Sequence, residues 1–146
     1  MQASTAVGRS TVRQRKYEEF EADNGVALRY TRHEDGGGFV ESRARVAKTA
    51  HVGASAYVDR GAIVGAYARI ASGAWIDGGA VVHEGAVIGT NAHIGPGAVV
   101  GRGAKIGSRV KIGADAHIWD GARVESDEVI APSAVVHAGS RGRRAA

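Results

Sequence analysis

Stepping by six from Val40, the chain reads Val40, Val46, Val52, Val58, Val64, Ile70, Ile76, Val82, Ile88, Ile94, Val100, Ile106, Ile112, Ile118, Val124, Ile130 and Val136. All seventeen are branched aliphatics, where ordinary composition would place one at roughly a fifth of positions. Two residues before each lies a column of small residues, from Gly38 and Ala44 to Ala134, broken only by Val110 and Glu128. Glycine gathers just after the aliphatic or three residues after it. A fixed period of six fits neither a helix at 3.6 nor a long alternating strand. It predicts an all-β solenoid: a short strand, a tight turn, and three such units to an eighteen-residue coil, so that residue n lies under n+18. Branched aliphatics then stack inside, Ala fills the narrow corners, and Gly takes turn positions with positive φ. The frame is long enough for about five to six coils, spaced about 4.8 Å apart.

Composition agrees with this reading. The chain has 146 residues, which bounds it at one domain, and 22 are Gly, more than twice the roughly 7% average. Only two Pro argue against collagen and Pro-rich disorder. The absence of Cys excludes a disulfide framework, thiolate zinc sites and cysteine nucleophiles, and fits a reducing compartment. No run is long and apolar enough for a membrane span, and the N-terminus lacks the apolar core of a signal peptide. We therefore expect a soluble, cytoplasmic protein with no membrane partner. A core one residue deep has no room for rings, which pushes Tyr57, Trp75 and Trp119 outward.

The organisation expected along the chain has four parts. Residues 1–15 form a flexible basic N-terminus with Arg9, Arg13 and Arg15, and 138–146 form a disordered basic tail with Arg141, Arg143 and Arg144. Residues 16–37 form a capping β-hairpin, from Tyr17 to Ala22, a turn at Asp23, Asn24 and Gly25, then Val26, Leu28 and Tyr30 alternating. It covers the open edge of the first coil. The solenoid occupies 38–137, and its last coil has no evident cap.

Runs such as VIGTNAHIGPGAVV at 87–100 resemble the hexapeptide-repeat, or bacterial transferase hexapeptide, superfamily. The resemblance spans 38–137 and implies a left-handed parallel β-helix, often trimeric. KYEEFEADNGVALRYT followed by GGGFVESRARV is similar to phage- and prophage-encoded hexapeptide-repeat proteins. In acyl-transferring members, the resemblance implies a His general base at a subunit interface and a pantetheine groove along the coils, often shaped by a loop extruded between hexads. No loop interrupts the frame from 40 to 136 here.

The candidate residues sit outside the core. His93, in mid-helix, is the first candidate for a general base, followed by His83 and His117. A γ-class carbonic anhydrase shares the implied fold and takes zinc on three His, two of them five residues apart. No His pair here has that spacing, so zinc chemistry is set aside and no metal is expected. Asp59 and Asp77 stack on one corner in adjacent coils and are read as exposed turn aspartates rather than a cation site. The outward positions separate into three faces. Ile63, Val81, Val99, His117 and Val135 form an apolar stripe, read as a homotrimer interface. Tyr57, Trp75 and His93 place rings on successive coils, and with Trp119 they are candidates for a ligand-stacking platform. Arg69, Lys105 and Arg123 mark a basic face.

On this reading the leading function is a non-catalytic, rigid homotrimeric scaffold or binding module of phage derivation, needing no cofactor. The alternative is an acetyltransferase using acetyl-CoA and an interfacial His. A third reading is an anion-binding module working through the basic face. Nucleic acid is disfavoured as its ligand by the interspersed acidic residues and a net charge of only +4.

Overall fold

The computed structural model describes residues 17–21 and 27–139. Among these residues there is no helix; two-residue strands recur every six residues from Arg45–Val46 to Val135–Val136. Each contains the outward residue of one hexad and its aliphatic. Pairing is parallel and eighteen residues apart, with Trp75 opposite His93, Val81 opposite Val99 and Val87 opposite Lys105. The result is a β-solenoid with three sheets, one per face, in about five coils. The aromatic face contains Tyr57, Trp75, His93, Lys111 and Val129; the apolar face runs from Arg45 to Val135; the basic face runs from His51 to Arg123.

Every framework aliphatic from Val52 to Val136 is at most 4% exposed, and the small-residue column from Ala50 to Ala122 is fully buried or nearly so. The two glycine columns have different causes. From Ser55 to Gly139, residues three after the aliphatic lie in the left-handed region whether or not they are Gly, as Gly97 at φ +74 and Asn91 at φ +59 show. Where the residue just after the aliphatic is Gly, the coil above lies close: a Cβ on Gly89 would stand 2.5 Å from the carbonyl carbon of Gly107. Positive φ therefore explains only one of the columns to which it was assigned.

The N-terminal strands take up the first open edges. β1 (Tyr17–Glu21) pairs antiparallel with β2 (Ala27–Arg32), and β2 pairs antiparallel with β3 (Phe39–Glu41). β3 then runs parallel to Tyr57–Val58, so the hairpin extends the aromatic sheet. On the basic sheet, Val52 N–H donates to the Asp35 carbonyl at 3.0 Å and Gly38 N–H to the Val52 carbonyl at 2.9 Å. Pairing these edges removes a template for strand addition. Glu41 anchors the junction from a fully buried position. It accepts from the Arg43 N–H at 2.7 Å, the Arg43 guanidinium at 3.0 Å and the Arg29 N–H at 3.5 Å. Burial pushes its carboxyl up, but these donors outweigh burial and hold it below the usual glutamate value. The turn expected at 23–25, the basic segment 1–15 and the arginines of the tail lie outside the described residues.

Candidate functional site

The period of the solenoid generates a second spacing. A corner residue just after one aliphatic, and the outward residue just before the aliphatic one coil on, are sixteen apart. Two aspartates, Asp59 and Asp77, occupy such corners, Asp35 in the entry segment keeps the same spacing, and each takes a ring nitrogen sixteen residues on. Asp35 meets His51 Nδ1 at 2.9 Å, Asp59 meets Trp75 Nε1 at 2.6 Å and Asp77 meets His93 Nε2 at 3.0 Å.

The third pair is the one suited to proton transfer. An ionised carboxylate only accepts, so the proton of the neutral His93 ring sits on Nε2 and the lone pair is left on Nδ1. The other oxygen of Asp77 accepts the Gly78 N–H at 2.7 Å, which fixes the carboxylate in turn. Both partners are half-buried, with side chains 32% and 23% exposed, so the pair is sheltered yet reachable. Trp75 stacks on the imidazole with ring centroids 4.1 Å apart and planes 13° from parallel. Asp59 holds the indole through Oδ2, while its Oδ1 accepts the hydroxyl of Tyr30 at 2.7 Å. Burial, followed by the Asp59 carboxylate, raises the Tyr30 hydroxyl above its ordinary range, so it remains a protonated donor. Asp59 and Asp77 are thus half-buried acceptors with dedicated donors, not the exposed turn aspartates expected. Among the described residues, no group of three or more His, Cys, Asp or Glu is placed to hold a metal.

The other candidates are dispersed. The expected ladder of Tyr57, Trp75 and His93 splits in two, because Tyr57 stacks on Phe39 at 4.8 Å and meets the edge of Tyr30 at 5.5 Å. Trp119 lies on a different corner, packed against His137 at 4.5 Å and near His117 at 6.3 Å. His83 and His117 are exposed and neither is paired with a carboxylate among the described residues. Sequence reasoning found His93 and Trp75 but did not assign Asp77 as the partner of His93, nor Asp59 and Tyr30 behind Trp75. The recurring Asp at i with a ring at i+16 was the available signal.

The chain order sets the surroundings. Asp77 lies on the corner that leads from the aromatic face into the apolar one, where Ile63 is 42% and Val135 49% exposed and Val81 and Val99 are half-buried. The opposite corner, between the basic and aromatic faces, carries two open grooves. One, of about 300 Å³, is lined by His51, Arg69, Ser72, Val87 and Thr90. The other, of about 150 Å³, is lined by Lys105, Arg123, Glu125 and Ser126. Among the described residues, no helix is long and apolar enough to cross a membrane.

Comparison with known proteins agrees with this architecture. Residues 67–102 match the family model described as bacterial transferase hexapeptide (six repeats). The chain is similar to PerB from Caulobacter crescentus, solved in complex with CoA and GDP-perosamine, at 25% identity and a TM-score of 0.67. A variant of GDP-perosamine N-acetyltransferase from the same organism, with one histidine replaced by alanine and the same two ligands bound, matches at the same identity and TM-score. In both, the match covers 70% of this chain and 49% of the other, so this chain spans about half the length of those structures. No curated protein sequence matches the chain.

These neighbours overturn the expectation of a non-catalytic scaffold. No loop is extruded between the two-residue strands from Arg45–Val46 to Val135–Val136. The Asp77–His93 hydrogen bond needs no loop, since both residues occupy ordinary corner and face positions of the repeat itself. In its repeat over 67–102 and in its fold, the chain resembles the bacterial transferase hexapeptide-repeat superfamily.

Proposed function

We propose that the chain is an acetyl-CoA-dependent acetyltransferase in which His93 is the general base and Asp77 orients it. The carrying observation is the 3.0 Å hydrogen bond from His93 Nε2 to Asp77, with the imidazole clamped against Trp75. His93 Nδ1 takes the proton from the amine or hydroxyl of the acceptor as that atom attacks the thioester carbonyl. The carbon–sulfur bond then breaks, and the departing thiolate takes the proton back from the imidazolium, restoring the neutral ring. Asp77 stabilises the charge on the ring between these two transfers.

Arg69, Lys105 and Arg123 line grooves whose size and charge suit the phosphates of CoA. The apolar stripe of Ile63, Val81 and Val99 fits a homotrimer, which would place His93 beside a subunit boundary. The CoA-bound acetyltransferases among the structural neighbours support the same reading.

Thermal shift with acetyl-CoA, followed by thiol release with a panel of amino- and hydroxy-sugar nucleotides, tests it. Acetyl-CoA should stabilise both the wild type and His93→Ala, and thiol release should fall about 10²-fold or more in the variant. No stabilisation and no thiol release in the wild type would remove the enzyme reading.

A further inference from the structure

We infer that Asp59 is a positioning residue for His93, and that strand β2 sets it through Tyr30. The hydrogen bond to Asp77 anchors one nitrogen of the His93 ring but leaves the plane of the ring free to tilt about that anchor. The parallel stack with Trp75 removes this freedom, and the stack is only as firm as the indole. Packing alone does not hold the indole, because Trp75 is 43% exposed on an open sheet face. What fixes it is the 2.6 Å bond from its Nε1–H to Asp59 Oδ2.

Asp59 is itself fixed from outside the repeats. Its second oxygen accepts the Tyr30 hydroxyl at 2.7 Å, and Tyr30 is only 5% exposed, wedged at the edge of Tyr57. Tyr30 belongs to β2, an antiparallel strand between β1 and β3 in the same sheet, so a segment that is not part of the solenoid determines the orientation of the proposed base. The order of dependence is Tyr30, Asp59, Trp75, His93. The catalytic part of this inference rests on the acetyltransferase reading; the stack does not.

The test separates the two. The chain has two Trp, so a Trp119→Phe background leaves Trp75 as the sole reporter and also removes the indole beside His137. An imidazolium in contact with an indole quenches its emission, so the background protein should dim on acidification. Asp59→Ala should lose at least about half of that quench and Tyr30→Phe a smaller part. Asp59→Asn, which keeps an acceptor for the indole, should fall between Asp59→Ala and the background.

In acetyl transfer, Asp59→Ala should lower kcat about tenfold while KM for acetyl-CoA stays within about twofold, as expected for a misplaced base rather than lost binding. Far-UV circular dichroism checks folding, and Tyr30→Phe, which removes only a hydroxyl, carries the test if Asp59→Ala does not fold. Loss of the quench in a folded variant supports the positioning role even if the wild type transfers no acetyl group. An unchanged quench in folded Asp59→Ala, or in Tyr30→Phe if only that variant folds, would overturn it.

Discussion

Gly89→Ala isolates the spacing between coils. A Cβ at this position would lie 2.5 Å from the Gly107 carbonyl carbon and 2.6 Å from both its oxygen and Ser108 N, where ordinary contact begins at 3.4 Å. The two coils must therefore separate locally by about 0.9 Å, a shift of the size that overpacking arguments treat as costly. That separation works against the Gly89 N–H bond to the Ile106 carbonyl at 2.8 Å and against the stacked, fully or nearly buried Ile88 and Ile106 beneath it. Overpacking of this kind costs about 1–3 kcal/mol and weakening one buried hydrogen bond adds about 1 kcal/mol, so a loss of about 2–4 kcal/mol is expected.

Gly85→Asn is the matched control. Gly85 has φ +71 with nothing within 4 Å of a Cβ, and Asn91 holds the equivalent conformation one hexad later. Its cost should stay below about 1 kcal/mol, because Asn visits this region with little penalty. Urea denaturation at one fixed protein concentration reads both, since self-association would shift apparent stability. Equal costs for the two substitutions, or a neutral Gly89→Ala, would refute the assignment of that column to inter-coil contact.

Two further outcomes follow from the structure. Glu41, with its carboxyl held below the usual value of 4.5, adds stability that is fully present above that value and disappears as pH falls through the lower folded one. Glu41→Gln should flatten the pH dependence of urea stability in that acid window, and an unchanged slope would show that Glu41 does not contribute there. Ile63→Asp, which puts a charge at the end of the apolar stripe, should reduce the mass seen by light scattering from that of the proposed trimer to a monomer. A monomeric wild type at micromolar concentration would remove the interface assignment.

The fold was legible because the repeat is a packing code: seventeen aliphatics at one spacing admit a single way of stacking, and the register n to n+18 follows from it. His93 and Trp75 were legible as outward residues on one face. Asp77 was not assigned to His93 because corner and face positions were treated as separate columns. Their diagonal contact appears only when the coil is closed and the sixteen-residue spacing becomes a short distance. Tyr30 was harder still, since its bond to Asp59 depends on which sheet the hairpin joins, and the repeat does not encode that. The regular frame was also no guide to activity, because the Asp77–His93 contact needs no interruption of the repeat.

The most direct test of the central claim is a double-mutant cycle on acetyl transfer, comparing the wild type, His93→Ala, Asp77→Asn and the double variant. In Asp77→Asn the amide can donate to His93 Nε2, which moves the ring proton to Nδ1 and disables the base. If the pair acts as one unit, each single variant loses about 10²-fold or more in kcat, and the double variant is no slower than His93→Ala alone. Near-wild-type turnover in Asp77→Asn, or losses that multiply in the double variant, would contradict the claim that Asp77 acts through His93.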